Sequence, residues 1–295
     1  MASAKQWVEA MRPRTWPASV TPVLVGIGAA WGLATPNWPR AGLALLVGLA
    51  MQVGVNFAND YSDGLRGTDQ ARQGPQRLVG SGAARPSTVK AAALTAFALA
   101  GLAGLGLCYL SGHWWLVAVG LGCVVLAWFY TGGRRPYGYA GLGEVAVFLC
   151  FGLVATLGTL YVQVSTVTWR GVLAAVAMGL LACAILMANN LRDLASDKRA
   201  GKETLAVKLG DRPARLVYQL EMWAAMALVV PMAVGRWHVL VVLLMAVPTV
   251  RLGSAVGEGA RGAELVTVLK ATGQVQLCYG LLLALSLAEL SFWPY

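Results

Sequence analysis

Nine windows along the chain, about 16–34, 41–58, 87–110, 114–131, 141–163, 169–190, 214–234, 238–252 and 267–290, are almost free of charge and do not alternate between apolar and polar positions. About 20 consecutive apolar residues cross a bilayer as a helix. A membrane barrel needs strands that alternate with a period of two, and these unbroken runs exclude it. The pattern predicts an all-α integral membrane protein: a bundle of nine transmembrane helices in one domain spanning 1–295. Two polar connections, about 59–86 and 191–213, are longer than the others.

Charge orients the bundle. Of the 23 Lys and Arg, all but Arg40, Arg170 and Arg236 fall before the first window, in alternate connections, or at the window ends that border those connections. Basic residues favour the cytoplasmic side, so the N-terminus and both long connections are predicted to be cytoplasmic, with Tyr295 external. Charged residues make up 12% of the chain, against about 25% in soluble domains, and mean hydropathy is +0.63. In such a chain the net charge of +10 points to topology or an anionic substrate, not to nucleic acid. The segment Met1–Pro17 reads as the approach to a retained first helix, since Pro17 and Pro22 interrupt the apolar stretch and no small-residue cleavage site follows. The five cysteines stand singly in apolar runs and the two histidines beside tryptophans. Neither a disulfide framework, a thiolate metal site nor a histidine base is indicated.

The chemistry lies in the long connections, which hold seven of the 13 acidic residues. The first begins Asn56-Phe-Ala-Asn59-Asp60-Tyr-Ser-Asp63-Gly-Leu-Arg66-Gly-Thr-Asp69, and the second Asn189-Asn190-Leu-Arg192-Asp193-Leu-Ala-Ser-Asp197-Lys198. In each, an Asn precedes an Asp by one helical turn and a further Asp follows after three or four residues. Such spacing stacks oxygen ligands on one helix face at the end of a span, and two copies four spans apart suggest an internal duplication. Aspartates stacked in this way repel one another and call for a cation. Oxygen ligands without His or Cys point to Mg²⁺, bound through carboxylates together with substrate phosphates. The basic residues Arg66, Arg72, Arg192, Lys198, Arg199 and Lys202 suit a diphosphate.

A third region, Tyr130-Thr-Gly-Gly-Arg134-Arg135-Pro136-Tyr137-Gly138-Tyr139, combines aromatic rings, glycines and a basic pair. It can face an aromatic ring, or it can be an ordinary basic loop. Glu144, opening the next span, is expected to pair with Arg134 or Arg135.

With these motifs in place, the chain resembles the UbiA-type superfamily of intramembrane aromatic prenyltransferases, and more narrowly its menaquinone-pathway branch, which prenylates 1,4-dihydroxy-2-naphthoate. The narrower likeness rests on Arg12-Pro13-Arg14-Thr15, the Asn59-Asp60 and Asn189-Asn190 motifs, Arg135-Pro136-Tyr137-Gly138-Tyr139 with Gly141-Leu142-Gly143-Glu144, and Lys202-Glu203-Thr204-Leu205-Ala206-Val207-Lys208-Leu209-Gly210. Asp69 follows Asp63 by six residues where many superfamily members have four. The resemblance implies helices around a central cavity that opens to the cytoplasm and laterally to lipid, in a bacterial plasma membrane.

It further implies that Mg²⁺ on Asp60, Asp63, Asp193 and Asp197 promotes departure of diphosphate from a polyprenyl diphosphate. The ring of the naphthoate then captures the allylic cation and its carboxylate leaves as CO₂. Substrate binding is expected from Arg14, Asn56, Asn59, Arg66, Asp69, Arg72, Tyr130, Arg134, Tyr139, Asn189, Asn190, Arg192, Lys198 and Lys202. Rival readings are a prenyltransferase with another acceptor, such as 4-hydroxybenzoate or homogentisate, and a transporter of an anionic solute. A transporter would carry polar residues near mid-membrane, whereas nearly all the charge here lies at one face.

Overall fold

The computed structural model describes residues 2–68 and 77–288, so Asp69, Arg72 and Tyr295 lie outside the described residues. Every element among those described is helical. First come α1 (Ala4–Ala10), a 3₁₀ turn at Pro13–Thr15, α2 (Pro17–Trp31), α3 (Trp38–Arg66), α4 (Pro86–Ser111) and α5 (Leu116–Phe129). After a 3₁₀ turn at Tyr137–Ala140, one rod over Gly143–Val164 comprises α6 (Gly143–Val147), a π-helical stretch Phe148–Val154 and α7 (Ala155–Val164). There follow α8 (Trp169–Arg199), α9 (Leu205–Leu209), α10 (Asp211–Ala227) and α11 (Val229–Met232). A 3₁₀ segment Trp237–Met245 runs into α12 (Ala246–Gly257), and α13 (Ala263–Leu287) closes the bundle.

Helix is found in each of the nine apolar windows. Six helical segments are long and apolar enough to cross a membrane by length and composition: Trp38–Arg66, Pro86–Ser111, Gly143–Val164, Trp169–Arg199, Trp237–Gly257 and Ala263–Leu287. The apolar helices α2 and α5 are shorter. Two helix ends extend beyond their apolar windows, in keeping with the helix-face spacing of the Asn and Asp motifs. α3 and α8 run on past their apolar windows to Arg66 and Arg199, so Asp60, Asp63, Asp193 and Asp197 lie on helices and the connections begin after them. α3 stops where Gly67, at φ 73°, takes the left-handed cap that a Cβ would disfavour.

Among helices in lipid, close backbone approach replaces the hydrophobic effect as the cohesive force, and small residues make it possible. A Cβ at Gly28 of α2 would collide with the Ala284 carbonyl oxygen of α13, and one at Gly280 would collide with the Thr21 side chain. α8 is the central post: Ala174, Ala177, Met178, Leu181, Ala184 and Met187 are fully enclosed by the surrounding helices.

The three exceptions to the charge rule have a physical explanation. Arg40 donates to the carbonyls of Val162 (2.9 Å) and Leu110 (2.5 Å), at the ends of α7 and α4. Arg170 donates to the carbonyls of Met232 (3.1 Å) and Val234, just after α11. Arg236 reaches the carbonyl of Leu287 (3.5 Å), the last residue of α13. Each arginine thus serves helix C-terminal carbonyls that have no partner within their own helix. All three act at the same end of the bundle, opposite the Asp-rich motifs.

Candidate active site

A cavity of about 530 Å³ occupies the interior between α2, α3, α4, α5, the Gly143–Val164 rod and α8. The face of α3 that borders it runs from Ala44 to Asp63, at the helical spacing of three and four residues. Its polar end is lined by Arg12, Asn56, Asn59, Asp63, Arg77, Tyr130, Thr131, Asn189, Asn190 and Lys202. Beyond Met51 and Gln52 the wall becomes apolar.

Asp63 is the carboxylate of this polar end. It is 2% exposed, and its Oδ1 accepts a hydrogen bond from the Tyr139 hydroxyl at 2.7 Å. Its Oδ2 lies 3.8 Å from Arg77 Nη2 and 4.0 Å from Lys202 Nζ. Lys202 also stands over the Tyr139 ring, 5.2 Å from its centroid. Asp63 thus lies between two cations, and this cluster joins the first Asp motif to the segment after the second. Burial and the neighbouring Asp63 charge raise the Tyr139 phenol well above its ordinary range, so Tyr139 remains a hydrogen-bond donor.

The other aspartates do not line the cavity. Asp60, 1% exposed, accepts from the backbone N–H groups of Leu78 (2.9 Å) and Val79 (3.0 Å). The reason is rotational: at about 100° per residue, Asp60 points well to one side of Asn59 and Asp63. Its carboxylate therefore fixes the segment that brings Arg77 to the cavity. Asp193 takes both guanidinium contacts of its neighbour Arg192, at 2.8 and 2.6 Å, while Arg192 also donates to Asn189 Oδ1 at 2.8 Å. Asp197 is partly buried one turn further on, outside the lining. The repeat thus places two Asn of each copy, Asn56 with Asn59 and Asn189 with Asn190, in the cavity wall, while Asp60 and Asp193 anchor the surrounding structure.

Several further expectations are relocated. Arg66 donates to the carbonyls of Thr131 and Gly133 and lies over the Tyr139 ring at 5.3 Å, so it holds the connection after α5. Arg14, Arg134 and Lys198 are exposed and away from the cavity. Glu144 does not pair with Arg134 or Arg135, because both arginines are on the surface while Glu144 is 7% exposed. It accepts instead from Asn190 Nδ2 at 3.0 Å, and so orients an amide of the cavity wall.

Other lining groups escaped the sequence reading. Arg12 stands at φ 54°, left-handed backbone that a residue with a Cβ adopts at a cost of about 1–3 kcal/mol. The segment around it is clamped: Trp16 Nε1 and Asn56 Nδ2 both donate to the Met11 carbonyl, at 3.1 and 2.9 Å, and Gln52 Nε2 donates to Thr15 Oγ1 at 3.0 Å. Arg12 was visible as part of Arg12-Pro13-Arg14-Thr15, but no spacing rule distinguished it from Arg14. Arg77 carried no local signal, since the Asp60 anchor alone brings it to the site. Tyr137, unlike these two, was already named with the aromatic third region, and it joins the wall with its ring edge-on to Tyr130 at 5.6 Å and its hydroxyl on the Leu126 carbonyl at 2.6 Å.

The donors at the polar end are oxygens from a carboxylate and amides, the type that suits Mg²⁺, which takes few protein ligands and completes its shell with water and phosphate. Among the described residues, no three acidic, His or Cys side chains form a ready-made metal cage. The arrangement therefore fits a cation that enters with a diphosphate.

Comparison with known proteins agrees with this architecture. The chain is 51% identical to the 1,4-dihydroxy-2-naphthoate octaprenyltransferase of Mycobacterium tuberculosis over 98% of each chain. It is 37% identical to the Escherichia coli protein of the same description, over 73% of this chain and 72% of that one. Among solved structures, a UbiA homolog from Archaeoglobus fulgidus bound to GPP and Mg²⁺ superimposes with a TM-score of 0.68, covering 95% of this chain and 99% of the other. At 16% identity that likeness speaks for the fold alone. The model of the UbiA prenyltransferase family matches residues 19–257, which include both Asn/Asp motifs and most of the cavity wall, and the chain belongs to that family.

Proposed function

We propose that this chain transfers a polyprenyl group from a polyprenyl diphosphate to 1,4-dihydroxy-2-naphthoate, releasing diphosphate and CO₂ and yielding demethylmenaquinol for menaquinone synthesis. The observation that carries this reading is a single cavity with a cationic, amide-rich end around Asp63 and a long apolar remainder, which matches a diphosphate joined to an isoprenoid tail. The likeness to relatives named 1,4-dihydroxy-2-naphthoate octaprenyltransferase supports the choice of acceptor.

In this mechanism Arg77 and Lys202 bind the diphosphate and stabilise the charge that grows on it as the allylic C–O bond breaks. Mg²⁺, when bound, would supply further neutralisation of the leaving group, held by Asp63 with amide oxygens of the polar wall. Tyr139 keeps the Asp63 carboxylate turned toward the cavity. Asp60 and Asp193 hold Arg77 and Asn189 in place from outside the lining. Tyr130 and Tyr137 offer ring surface to the naphthoate, and Arg12 offers a partner for its carboxylate. The ring carbon that attacks the allylic cation forms the new C–C bond, and the carboxylate departs as CO₂. No nucleophile from the chain is required, and the enclosing helices keep water from the cation.

We also read the chain as one nine-span domain over 1–295 in a bacterial plasma membrane. The Asp-rich end is cytoplasmic and the C-terminus external, supported by the uneven distribution of Lys and Arg. The deciding experiment incubates purified protein with a polyprenyl diphosphate and a panel of aromatic acceptors, with and without Mg²⁺. Prenylated product and CO₂ from 1,4-dihydroxy-2-naphthoate alone support the proposal, and a preference for 4-hydroxybenzoate or homogentisate overturns it.

A further inference from the structure

The apolar part of the cavity has a measurable depth. From Asp63 to Ala44, α3 borders it over about 28 Å at a rise of about 1.5 Å per residue. Besides Gly48 of α3 and Gly120 of α5, the wall includes Gly101 and Gly104 on α4 and Gly158 on α7. A Cβ built at Gly101 or Gly158 meets no heavy atom within 4 Å, and one at Gly104 meets Val47 Cγ2 at 4.0 Å. Glycines that serve helix packing behave differently. At Gly26, Gly54 and Gly152 the same atom would come within 2.5–2.7 Å of a neighbour. Gly101, Gly104 and Gly158 therefore border open space, as does the exposed Gly120 of α5.

Their depths differ. Gly104 stands opposite Val47 of α3, about 24 Å from Asp63 along the helix, and Gly101 lies about one turn nearer, at about 20 Å. Gly158 is deeper still. Its neighbours Thr156 and Thr159 pack on Gly26 of α2, two turns beyond Ser19, whose carbonyl faces Gly48 of α3. That register puts Gly158 at about 30 Å. Between the polar and apolar parts, Gln52 Oε1 is buried in the wall with no hydrogen-bond partner in the protein, which leaves an acceptor for whatever fills the cavity.

We propose that Gly101, Gly104 and Gly158 set the length of prenyl tail that the cavity admits, as graduations on a ruler read from the diphosphate end. The proposal rests on the prenyl transfer argued above. A side chain placed at one of these positions occupies space the tail would otherwise use. Donors long enough to reach that depth are then disfavoured, and shorter ones are not.

The test supplies the purified protein with 1,4-dihydroxy-2-naphthoate, Mg²⁺ and an equimolar series of prenyl diphosphates from dimethylallyl to octaprenyl, and reads the product lengths by mass spectrometry. Gly101→Leu should lower the yield of long-tailed relative to short-tailed product by roughly tenfold or more, the discrimination expected when a few extra atoms enter a ligand's space. Gly104→Leu and Gly158→Leu should place the cut-off at progressively longer tails. Gly122→Leu, on the exposed face of α5 and outside the cavity wall, should leave the profile unchanged. Turnover of dimethylallyl diphosphate reports that each variant is folded. Product profiles identical to wild type in all three variants would overturn the ruler, as would a loss of dimethylallyl turnover equal to the loss with long donors. Wild-type protein that prenylates no naphthoate at any length would instead overturn the function on which the ruler rests.

Discussion

The Tyr139 hydroxyl donates to Asp63 Oδ1 at 2.7 Å, joining the turn after α5 to the last helical turns of α3 across the polar end of the cavity. Thr68 Oγ1 lies 3.3 Å from the same hydroxyl, and Lys202 and Arg66 lie over the ring, so this phenol is the point where three segments meet. Tyr139→Phe keeps the ring and its cation contacts and removes the hydrogen bond to the carboxylate. A hydrogen bond to a charged group contributes about 1.5–3 kcal/mol, so kcat/KM for the prenyl diphosphate should fall about ten- to hundredfold. The affinity for the naphthoate should change little, as steady-state kinetics with each substrate varied in turn will show.

Asp60 and Asp63 are three residues apart and should fail differently. Asp63→Asn removes the carboxylate that lines the cavity, and turnover should be lost while thermal unfolding in detergent is unchanged. Asp60→Asn replaces one of two acceptors for the Leu78 and Val79 amides with a donor. It should lower stability by about 2–3 kcal/mol, seen as a lower unfolding midpoint. Equal stability of the two variants would remove the anchoring role from Asp60.

Lys202→Met should raise KM for the prenyl diphosphate about tenfold with a smaller change in kcat, because the ammonium is one of two cations beside Asp63 and Arg77 remains. A change confined to the KM of the naphthoate would move Lys202 to the acceptor side.

At the other end of the bundle, Arg40→Ala strips partners from helix C-terminal carbonyls on both α4 and α7. Stability should drop by about 1–3 kcal/mol, with kinetic constants per folded molecule unchanged. Thermal melts combined with active-site titration will separate the two effects.

Orientation is tested by single cysteines in a background without native ones. An impermeant maleimide added to intact cells should label Ser111→Cys and Val234→Cys and spare Ala200→Cys, because the first two lie at the end served by Arg40 and Arg170. The reverse pattern would invert the bundle.

The helical architecture was legible in the chain because lipid leaves backbone groups no partner but their own helix, so apolar length alone identifies the elements. The Asn and Asp repeat located the ends of α3 and α8 that frame the site, since acidic residues beside apolar runs are costly without a purpose. What each carboxylate does was decided by the tertiary structure. Asp60 and Asp63 carry the same chemistry, but a rotation of about 60° between them turns one to the Leu78–Val79 amides and the other to the cavity. Arg77 and Arg12 reach the site through an anchored segment and a left-handed backbone turn, both long-range outcomes that no local spacing encodes. Glu144 found Asn190 instead of the nearby arginines because α6 packs on α8, while Arg134 and Arg135 stay in solvent where charge is best accommodated. A sequence lists its charged groups, but which of them share one enclosed volume depends on how the helices are rotated and packed against one another.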